Sequence, residues 1–225
     1  MYVDGEYLDK NPTWHVEDSA WKAGQIHGIL LKNDVKASLV CEVGCGAGEI
    51  LKQLSLRMPT TQFYGYELSP QAFTLCASRK SEKVSYLLKD IADDDVFYDV
   101  LLCIDVFEHV EDYFGFVKLL KSKSKYQVFH IPLDISVSSV LRGTLIRARE
   151  SMGHLHYFTP ETALATLRDC GYEIVDHSYT KFFNELPAPR AITKIANIFR
   201  RVLFFISPDL MTKLMGGCSL IVLTK

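Results

Sequence analysis

Three glycines alternate with other residues directly after a short apolar run at residues 38–43. Gly44, Gly46 and Gly48 allow a sharp backbone turn and a close approach by a ligand. A dinucleotide fingerprint would need glycine at the position of Glu49, and a phosphate-binding loop would need lysine followed by serine or threonine. The spacing therefore predicts a strand-to-helix turn that binds a ligand without a pyrophosphate; a tight turn with no ligand is the alternative.

Two acidic residues flank this turn. Glu42 precedes it, and Glu49 falls in the first turn of the helix predicted to follow. A phosphate bound at that helix start would meet a like charge. S-adenosylmethionine has no phosphate and carries an ammonium and a sulfonium, so its charge is compatible with both acids.

Two further acids end apolar runs. Glu67 lies 19 residues after Gly48, where an acid can accept hydrogen bonds from ribose hydroxyls; a solvated acid is the alternative. Asp90 ends the next run, where it can accept from the adenine amine while Ile91 packs on the ring. The acids at 93–95 are predicted to form a solvated loop and not a metal site, because no histidine or fixed spacing supports one.

Short apolar runs alternate with helical patterns along the chain. This order predicts a parallel sheet with helices on both faces. The predicted strands cover residues 38–43, 62–67, 83–88, 98–104, 126–131, 173–179 and 219–224. Predicted helices begin near Ser19, Ala47, Ser69, Glu111 and Thr159.

Composition narrows the class of protein. The 225 residues suit one domain with an elaborated edge, and the net charge of −2 gives no basic field for nucleic acid. Six scattered cysteines without a CxxC pair predict buried thiols in a reducing compartment. The acidic start of the chain and the absence of an apolar run near ~18 residues predict neither a signal peptide nor a membrane span, and hence a cytoplasmic protein.

The motifs together resemble class I S-adenosylmethionine-dependent methyltransferases, in particular the small-molecule branch with the ubiquinone-biosynthesis O-methyltransferases. The matching segments are VCEVGCGAGEI, YGYEL, KDI, DVLLCIDVFEHVED and GHLHYFTPE. They cover about residues 38–180, with a final strand near 218–224. The resemblance implies a doubly wound, Rossmann-like, seven-stranded α/β sheet, mostly parallel with an antiparallel last strand, and helical lid elements.

The resemblance also implies roles for individual residues. The glycine loop would line the methionine part of the cofactor, Glu67 would bind the ribose, Asp90 would lie at the adenine, and Phe107 would form a wall. The full set of expected cofactor-binding residues is Glu42, Gly44, Cys45, Gly46, Glu67, Leu68, Asp90, Ile91, Asp105 and Phe107.

Methyl transfer to a hydroxyl benefits from a general base. His109 follows the fourth predicted strand, and His154 and His156 precede the helix at Thr159. His109 and His154 are the predicted catalytic residues, since histidine titrates near neutral pH; tying down the loop is the alternative role for His109. No metal is predicted. His130, within the fifth strand, is expected to be a satisfied core residue.

Three segments are predicted to gather over the carboxyl ends of the strands: residues 1–31, 132–158 and 181–215. We divide the chain into a helical lid at 1–37 and a methyltransferase domain at 38–225 with an inserted lid at 181–215. In the first segment, an exposed Lys22 is preferred over one that pairs with the cofactor carboxylate.

The inserted segment contains an amphipathic helix. One face carries Ile192, Ile195, Phe199, Val202 and Ile206, and another carries Arg190, Lys194, Asn197 and Arg201. A lid whose apolar face covers the pocket is preferred over peripheral membrane contact through 190–206.

The sequence thus predicts an enzyme that transfers a methyl group from S-adenosylmethionine to a small-molecule acceptor, at oxygen, leaving S-adenosylhomocysteine. The acceptor is expected to be apolar, lipid-linked or a sugar, with no nucleic-acid partner. The alternatives are a protein or nucleic-acid methyltransferase and a non-catalytic scaffold that binds the cofactor.

Overall fold

The computed structural model describes residues 11–14, 16–186 and 191–225. Within these residues, seven strands form one mixed sheet. The strands are Leu39–Val43 (β1), Gln62–Glu67 (β2), Val84–Leu88 (β3), Tyr98–Ile104 (β4), Ser124–Pro132 (β5), Ile174–Thr180 (β6) and Ser219–Thr224 (β7).

Ten α-helices are present in the same residues. They are Ser19–Lys32 (α1), Glu49–Arg57 (α2), Pro70–Cys76 (α3), Tyr113–Lys121 (α4), Val137–Leu141 (α5), Thr144–Met152 (α6), Pro160–Asp169 (α7), Phe182–Glu185 (α8), Ala191–Ile206 (α9) and Pro208–Met215 (α10).

The sheet has the order β3-β2-β1-β4-β5-β7-β6. Strands β1 to β5 pair in parallel, whereas β7 is antiparallel to both β5 and β6. The predicted fold is therefore confirmed, including the antiparallel last strand. The carboxyl ends of the five parallel strands meet at one edge, where such sheets bind ligands.

Local signals in the sequence determine where several helices begin. The hydroxyl of Ser69 accepts a hydrogen bond from the N–H of Ala72 at 3.3 Å, and Pro70 is the first helical residue of α3. Thr159 and Pro160 start α7 in the same way. The short crossover predicted after β3 is a single 3₁₀ turn at Ile91–Asp93.

The two faces of the sheet bury different helices, because successive strand residues point to opposite faces. Val40, Leu102 and Val128 share one core with apolar side chains of α1 and α2. Leu101 and Phe129 share the other core with apolar side chains of α4 and α7. Helix α1 is therefore part of the core on one face, in addition to any role over the ligand edge.

The segments that connect the last strands contain more structure than the sequence predicted. Residues 132–158 were expected to form a loop, but they include α5 and α6. The described part of 181–215 holds three helices instead of one. Short helices such as α5 escape a periodicity argument because they complete little more than one turn. No helix in the described ranges combines the length and the apolar character that crossing a membrane requires.

Candidate active site

The glycine loop, residues 44–48, joins β1 to α2 with a left-handed backbone at three positions. The φ angle is +64° at Gly44, +55° at Gly46 and +79° at Gly48. A Cβ atom at Gly46 would lie 2.6 Å from Cδ1 of Trp14, and one at Gly44 would lie 2.9 Å from Cγ2 of Val106. Glycine is needed here both for the backbone conformation and for the close approach of neighbouring groups.

Glu67 holds this loop against the end of β2. Its Oε2 accepts a hydrogen bond from the N–H of Gly46 at 2.8 Å, and its Oε1 accepts from the N–H groups of Leu68 and Ser69 at 2.9 and 2.7 Å. Burial raises the pKa of this carboxyl, although the three backbone donors favour its charged form. The sequence did not predict this contact with the loop; the ribose-binding role of Glu67 stays a prediction.

A cavity of about 570 Å³ lies beside the glycine loop at the carboxyl ends of β1, β4 and β5. Both tryptophans, Trp14 and Trp21, contribute to its wall. It brings together seven of the predicted site residues, which are Glu42, Gly44, Cys45, Gly46, Asp105, His109 and His154.

The other predicted cofactor residues do not line this cavity. Leu68 is exposed, and Asp90 caps the following turn by accepting a hydrogen bond from the N–H of Ala92 at 2.9 Å. Ile91 is 1% exposed and lies in the core. The structure thus does not place Glu67, Leu68, Asp90 or Ile91 on the cavity wall, and their contacts with an adenosine stay predictions.

Phe107 lies in the core. It is fully buried, and its ring packs edge-on against Phe129 and Phe158 at centroid distances of 6.1 and 5.2 Å. The 3₁₀ turn Phe107–His109 directs the phenylalanine inward while its last residue reaches the cavity. The expectation that Phe107 forms a wall of the pocket is therefore corrected.

Glu42 has a buried carboxyl in the cavity wall. The residue is 2% exposed, and its Oε2 has no hydrogen-bond partner in the part of the chain that the structure describes. Burial raises the pKa of Glu42 well above its usual value. A cationic group in the cavity would supply the missing partner and favour the charged carboxylate.

Lys22, Asp105 and His130 form a buried polar chain at the cavity. Lys22 Nζ lies 2.8 Å from Asp105 Oδ2 and 3.1 Å from Asp18 Oδ2. The other oxygen of Asp105 lies 2.6 Å from Nδ1 of His130, whose Nε2 lies 2.9 Å from the hydroxyl of Thr180. His130 is the satisfied core residue that was expected.

The prediction of an exposed Lys22 was wrong, since its side chain is only 14% exposed. Burial by itself would lower the pKa of Lys22, but Asp105 and Asp18 outweigh it and raise the pKa. Burial would raise the pKa of Asp105, but His130 and Lys22 hold it well below its usual value. Lys22 lies four residues before the buried Ile26, and this helical spacing was the signal in the sequence that could have indicated burial.

His109 and His154 face each other with their ring centroids 4.9 Å apart. Nδ1 of His109 lies 3.1 Å from the carbonyl oxygen of Gly153, and Nδ1 of His154 lies 2.6 Å from Oδ2 of Asp134. Because a carbonyl and a carboxylate accept, each ring donates from Nδ1, which is the tautomer that leaves the lone pair of a neutral imidazole on Nε2. Burial lowers the pKa of His109 to about 4, so this ring is neutral near pH 7.

Glu108 completes a cluster with these two histidines. Its Oε1 lies 3.8 Å from Nε2 of His109, and neither of its buried oxygens has a hydrogen-bond partner among the described residues. Potential ligand atoms of Glu108, His109 and His154 all lie within 4.8 Å of one another, so these side chains are the residues that could hold a metal ion. His156 lies outside this cluster, since its Nε2 bonds the carbonyl oxygen of Val110 at 2.9 Å.

Two arginines lie on another side of the cavity, one directly after α5 and one on α9. Arg142, Arg200, Met215 and Gly217 all line it. Among the described residues of α9, the buried side chain is Asn197, which was assigned to the polar face, whereas Ile195, Phe199, Val202 and Ile206 are 57–70% exposed. A lid whose apolar face covers the pocket is therefore contradicted for these residues. The apolar periodicity indicated a helix but could not show which face meets the protein body. Arg190 and the side chain of Ile192 lie outside the described part of the chain.

Fold and cavity together define a doubly wound, Rossmann-like α/β domain with a glycine loop and a cavity at the carboxyl edge of its sheet. The chain belongs to a methyltransferase family: residues 22–177 match the family model described as "Methyltransferase domain". This confirms the family resemblance noted in the sequence.

The chain is similar to curated and to structurally characterised methyltransferases. It is 31% identical over 115 residues to the ubiquinone biosynthesis O-methyltransferase of Rickettsia prowazekii (strain Madrid E), covering 50% of this chain and 43% of that protein. The corresponding protein of Rickettsia conorii is 31% identical over 90 residues, or 39% of this chain and 31% of its own length. The chain thus matches less than half the length of these two relatives.

A solved structure extends the comparison to the whole fold. The magnesium protoporphyrin IX methyltransferase of Synechocystis PCC 6803, with bound S-adenosylhomocysteine, superposes with a TM-score of 0.61 at 15% identity. The alignment covers 91% of this chain and 82% of that one. At this identity the likeness establishes the fold alone.

Proposed function

We propose that this chain transfers the methyl group of S-adenosylmethionine to an oxygen atom of a small-molecule acceptor. The observation that supports this most directly is that one cavity combines three features. They are the glycine loop, a buried carboxyl of Glu42 with one oxygen unpartnered among the described residues, and the imidazole rings of His109 and His154. The membership of the family and the names of the relatives agree with it.

The residues of the cavity fit a cationic nucleoside. When bound, S-adenosylmethionine supplies a methyl group that is already activated by a positively charged sulfur. Gly44 and Gly46 leave room beside the backbone, and the unpartnered oxygen of Glu42 is suited to a cation. Glu67 has already ordered the loop and retains lone pairs for the ribose hydroxyls.

His154 is the better placed general base for an acceptor hydroxyl. Nε2 carries its lone pair, and the carboxylate of Asp134 at 2.6 Å from Nδ1 would stabilise the imidazolium that forms when the proton is taken up. His109 is adjacent and neutral, so it can orient the hydroxyl without carrying a charge. The rest of the task is alignment of the acceptor and exclusion of water, to which Trp14 and Trp21 contribute surface.

The domain division carries over into this proposal in a modified form. The start of α1 and the described residues 11–14 and 16–18 would serve as a lid, while the remainder of α1 belongs to the core. The inserted segment 181–215 would contribute a second wall of the acceptor site. All six cysteines are free and buried, which supports a cytoplasmic, reducing location.

The test is transfer of a radiolabelled methyl group from S-adenosylmethionine to a metabolite extract. We expect a labelled small molecule with the wild-type protein and a rate about 10²-fold lower with His154→Gln. His177→Gln is the matched control, because His177 is exposed on β6 and does not line the cavity. Affinity for S-adenosylhomocysteine, measured by calorimetry, should be the same in all three proteins.

Other results would point elsewhere. Cofactor binding without label in any extract would favour the non-catalytic scaffold. Label confined to protein or nucleic acid would favour a macromolecular substrate. A His154→Gln rate equal to that of the wild type would leave the methyl transfer standing but remove the base from the mechanism.

A further inference from the structure

Arg142 and Arg200 bring two positive charges to the cavity without a counter-charge. Arg142 follows α5, and Arg200 belongs to α9. In the described part of the chain, no carboxylate lies within ion-pair distance of either guanidinium, whereas Lys22 in the same cavity has two.

Arg200 is oriented by neutral groups only. Its Nη1 donates to Oδ1 of Asn197 at 2.8 Å and its Nη2 donates to the carbonyl oxygen of Met215 at 3.1 Å. Asn197 is itself buried and donates to the carbonyl oxygen of Phe183 at 2.7 Å, so the guanidinium is attached to a fixed frame. The buried Nε has no partner among the described residues.

The backbone of Gly217 lies close against the guanidinium of Arg200. Gly217 has a φ of +91°, and a Cβ atom there would lie 3.1 Å from Nε of Arg200. Burial and the neighbouring Arg142 both lower the pKa of Arg200, because each disfavours its positive charge. A partly buried, unpaired guanidinium is unfavourable unless an anion binds to it, and guanidinium groups match planar carboxylates and phosphates.

We propose that Arg142 and Arg200 bind an oxyanion, either a carboxylate or a phosphate, on the methyl acceptor. This inference rests on the proposed function, since it names the chemical class of the substrate for the same cavity. The anion would accept hydrogen bonds from the Nη1 and Nη2 hydrogens that Asn197 and Met215 leave unused, and Arg142 would add a second charge from the more exposed side.

The test compares ligands that differ in charge and hardly in shape. Dissociation constants of 4-hydroxybenzoate, 4-hydroxybenzamide and phenyl phosphate are measured by NMR titration with S-adenosylhomocysteine present. We expect at least one anion to bind about tenfold more tightly than the amide, since hydrogen bonds to charged groups are the strong ones. A preference for one anion identifies the carboxylate or the phosphate as the source, and equal binding of both identifies a general oxyanion site.

Variants assign the preference to the arginines. Arg200→Gln and Arg142→Gln should each reduce anion affinity about tenfold and leave the amide unaffected. The Arg142 variant also covers the case in which the Arg200 variant fails to fold, because Arg142 is exposed. Arg168→Gln is the control, as Arg168 is exposed on α7 away from the cavity.

Failure of this inference can be told apart from failure of the proposed function. Equal affinities for amide and anions, no detectable anion binding, or a preference that survives in both variants would overturn the oxyanion site. If S-adenosylhomocysteine binds in that experiment, the proposed methyl transfer is unaffected. If S-adenosylhomocysteine itself does not bind, the proposed function fails first.

A separate observation concerns the outer face of α9. Among the described side chains of this helix, six large apolar ones are more than half exposed, and Phe205 is 92% exposed. The six residues are Ile195, Ile198, Phe199, Val202, Phe205 and Ile206. An apolar strip of this kind indicates an interaction surface.

The charge of α9 and of the helices near it favours one kind of contact surface for this apolar strip. Residues 137–152 and 191–215 carry seven basic and two acidic side chains, whereas the rest of the chain carries 18 basic and 25 acidic ones. Without Arg142 and Arg200, which line the cavity, these two ranges keep a net charge of +3 in a chain whose total is −2. We infer that α9 docks on the surface of an anionic lipid bilayer, with its apolar side chains at the headgroup boundary.

Vesicle sedimentation tests this docking. We expect the protein to sediment with vesicles containing 30% phosphatidylglycerol, as an anionic composition, and to remain in the supernatant with pure phosphatidylcholine. Phe205→Ser should weaken binding about tenfold, whereas Leu56→Ser, which changes a similarly exposed residue on α2, should not. Equal sedimentation of both variants, no binding to anionic vesicles, or a dimer in ultracentrifugation that Phe205→Ser dissociates would overturn the inference.

Discussion

Glu67 is the residue whose substitution most directly tests the proposed cofactor site. Its carboxylate accepts three backbone hydrogen bonds of 2.7–2.9 Å, one of them from Gly46 in the glycine loop. If it also binds the ribose, Glu67→Ala removes two different functions. The loop loses its anchor, and the cofactor loses a charged acceptor.

The two effects have different magnitudes and different measurements. Leaving buried N–H groups without an acceptor costs about 2 kcal/mol, which for a chain of this size lowers Tm by about 4–8 °C. Loss of a charge-assisted bond to the ribose costs about 1.5–3 kcal/mol, so the Kd for S-adenosylhomocysteine should rise about 10- to 150-fold. Glu173→Ala serves as the control, since Glu173 is exposed at the far end of β6 and pairs only with Lys225.

Calorimetry with two ligands distinguishes loss of the loop contact from loss of the ribose contact. The wild-type protein should prefer S-adenosylhomocysteine over its 2′,3′-dideoxy analogue, and Glu67→Ala should bind both with equal affinity. If the variant weakens both ligands by the same factor and keeps the wild-type preference, Glu67 acts only on the loop. The ribose would then be bound by another group, and the reasoning from the strand end to the sugar would be refuted.

Three other buried groups give predictions of their own. Lys22→Met should lower the free energy of unfolding by about 3 kcal/mol at pH 7, because it leaves Asp105 without its cation. The depressed pKa of Asp105 means that the Lys22–Asp105 pair stabilises the fold above about pH 4 and that this stabilisation is lost as pH falls. In urea titrations at a series of pH values, the free energy of unfolding of the variant should therefore fall less steeply towards acid pH than that of the wild type. An unchanged pH dependence would contradict the pairing. His109→Gln should slow turnover with unchanged affinity for S-adenosylhomocysteine. Since the pKa of His109 is about 4, the pH–rate profile of the variant from pH 6 to 8 should run parallel to that of the wild type. A shifted profile would show that His109 titrates in this range. Glu108→Gln should be at least as stable as the wild type in thermal unfolding at pH 8, because burial raises the pKa of Glu108 and its neutral form is favoured. If Zn²⁺ or Mg²⁺ raises the Tm of the wild type and this variant abolishes the increase, Glu108 instead binds a cation.

The order of the elements could be predicted because the central strands β1, β4, β5 and β7 are buried along most of their length and are rich in apolar residues. Strands β2, β4 and β7 have the predicted bounds. Helix starts such as Ser69 and Thr159 were readable because capping is a local interaction between residues three apart. The antiparallel direction of β7 came only from the family resemblance.

The site could be predicted in part, and the division follows the chemistry. Gly44 and Gly46 were identified because a left-handed backbone restricts the residue type. The inward position of Phe107 was not, because a 3₁₀ turn places consecutive side chains in different directions and carries no recognisable pattern. The contact of Glu67 with Gly46 joins two strand ends 21 residues apart and depends on the register of β1 and β2.

Charged residues in apolar patterns were the most difficult to interpret. Lys22 was expected in solvent because lysine is almost never buried alone. The carboxylates of Asp18, four residues before it, and of Asp105, which follows β4, neutralise its charge. Helix α9 departs from the average preferences in two ways. Asn197, a polar residue, is buried because its amide donates to a fixed backbone acceptor. The apolar residues beside it are exposed. A pattern of residue types gives the average preference of each side chain for water. The preference is overruled where a tertiary partner satisfies a polar group, as Asp105 does for Lys22 at the cavity and the carbonyl oxygen of Phe183 does for Asn197 on α9.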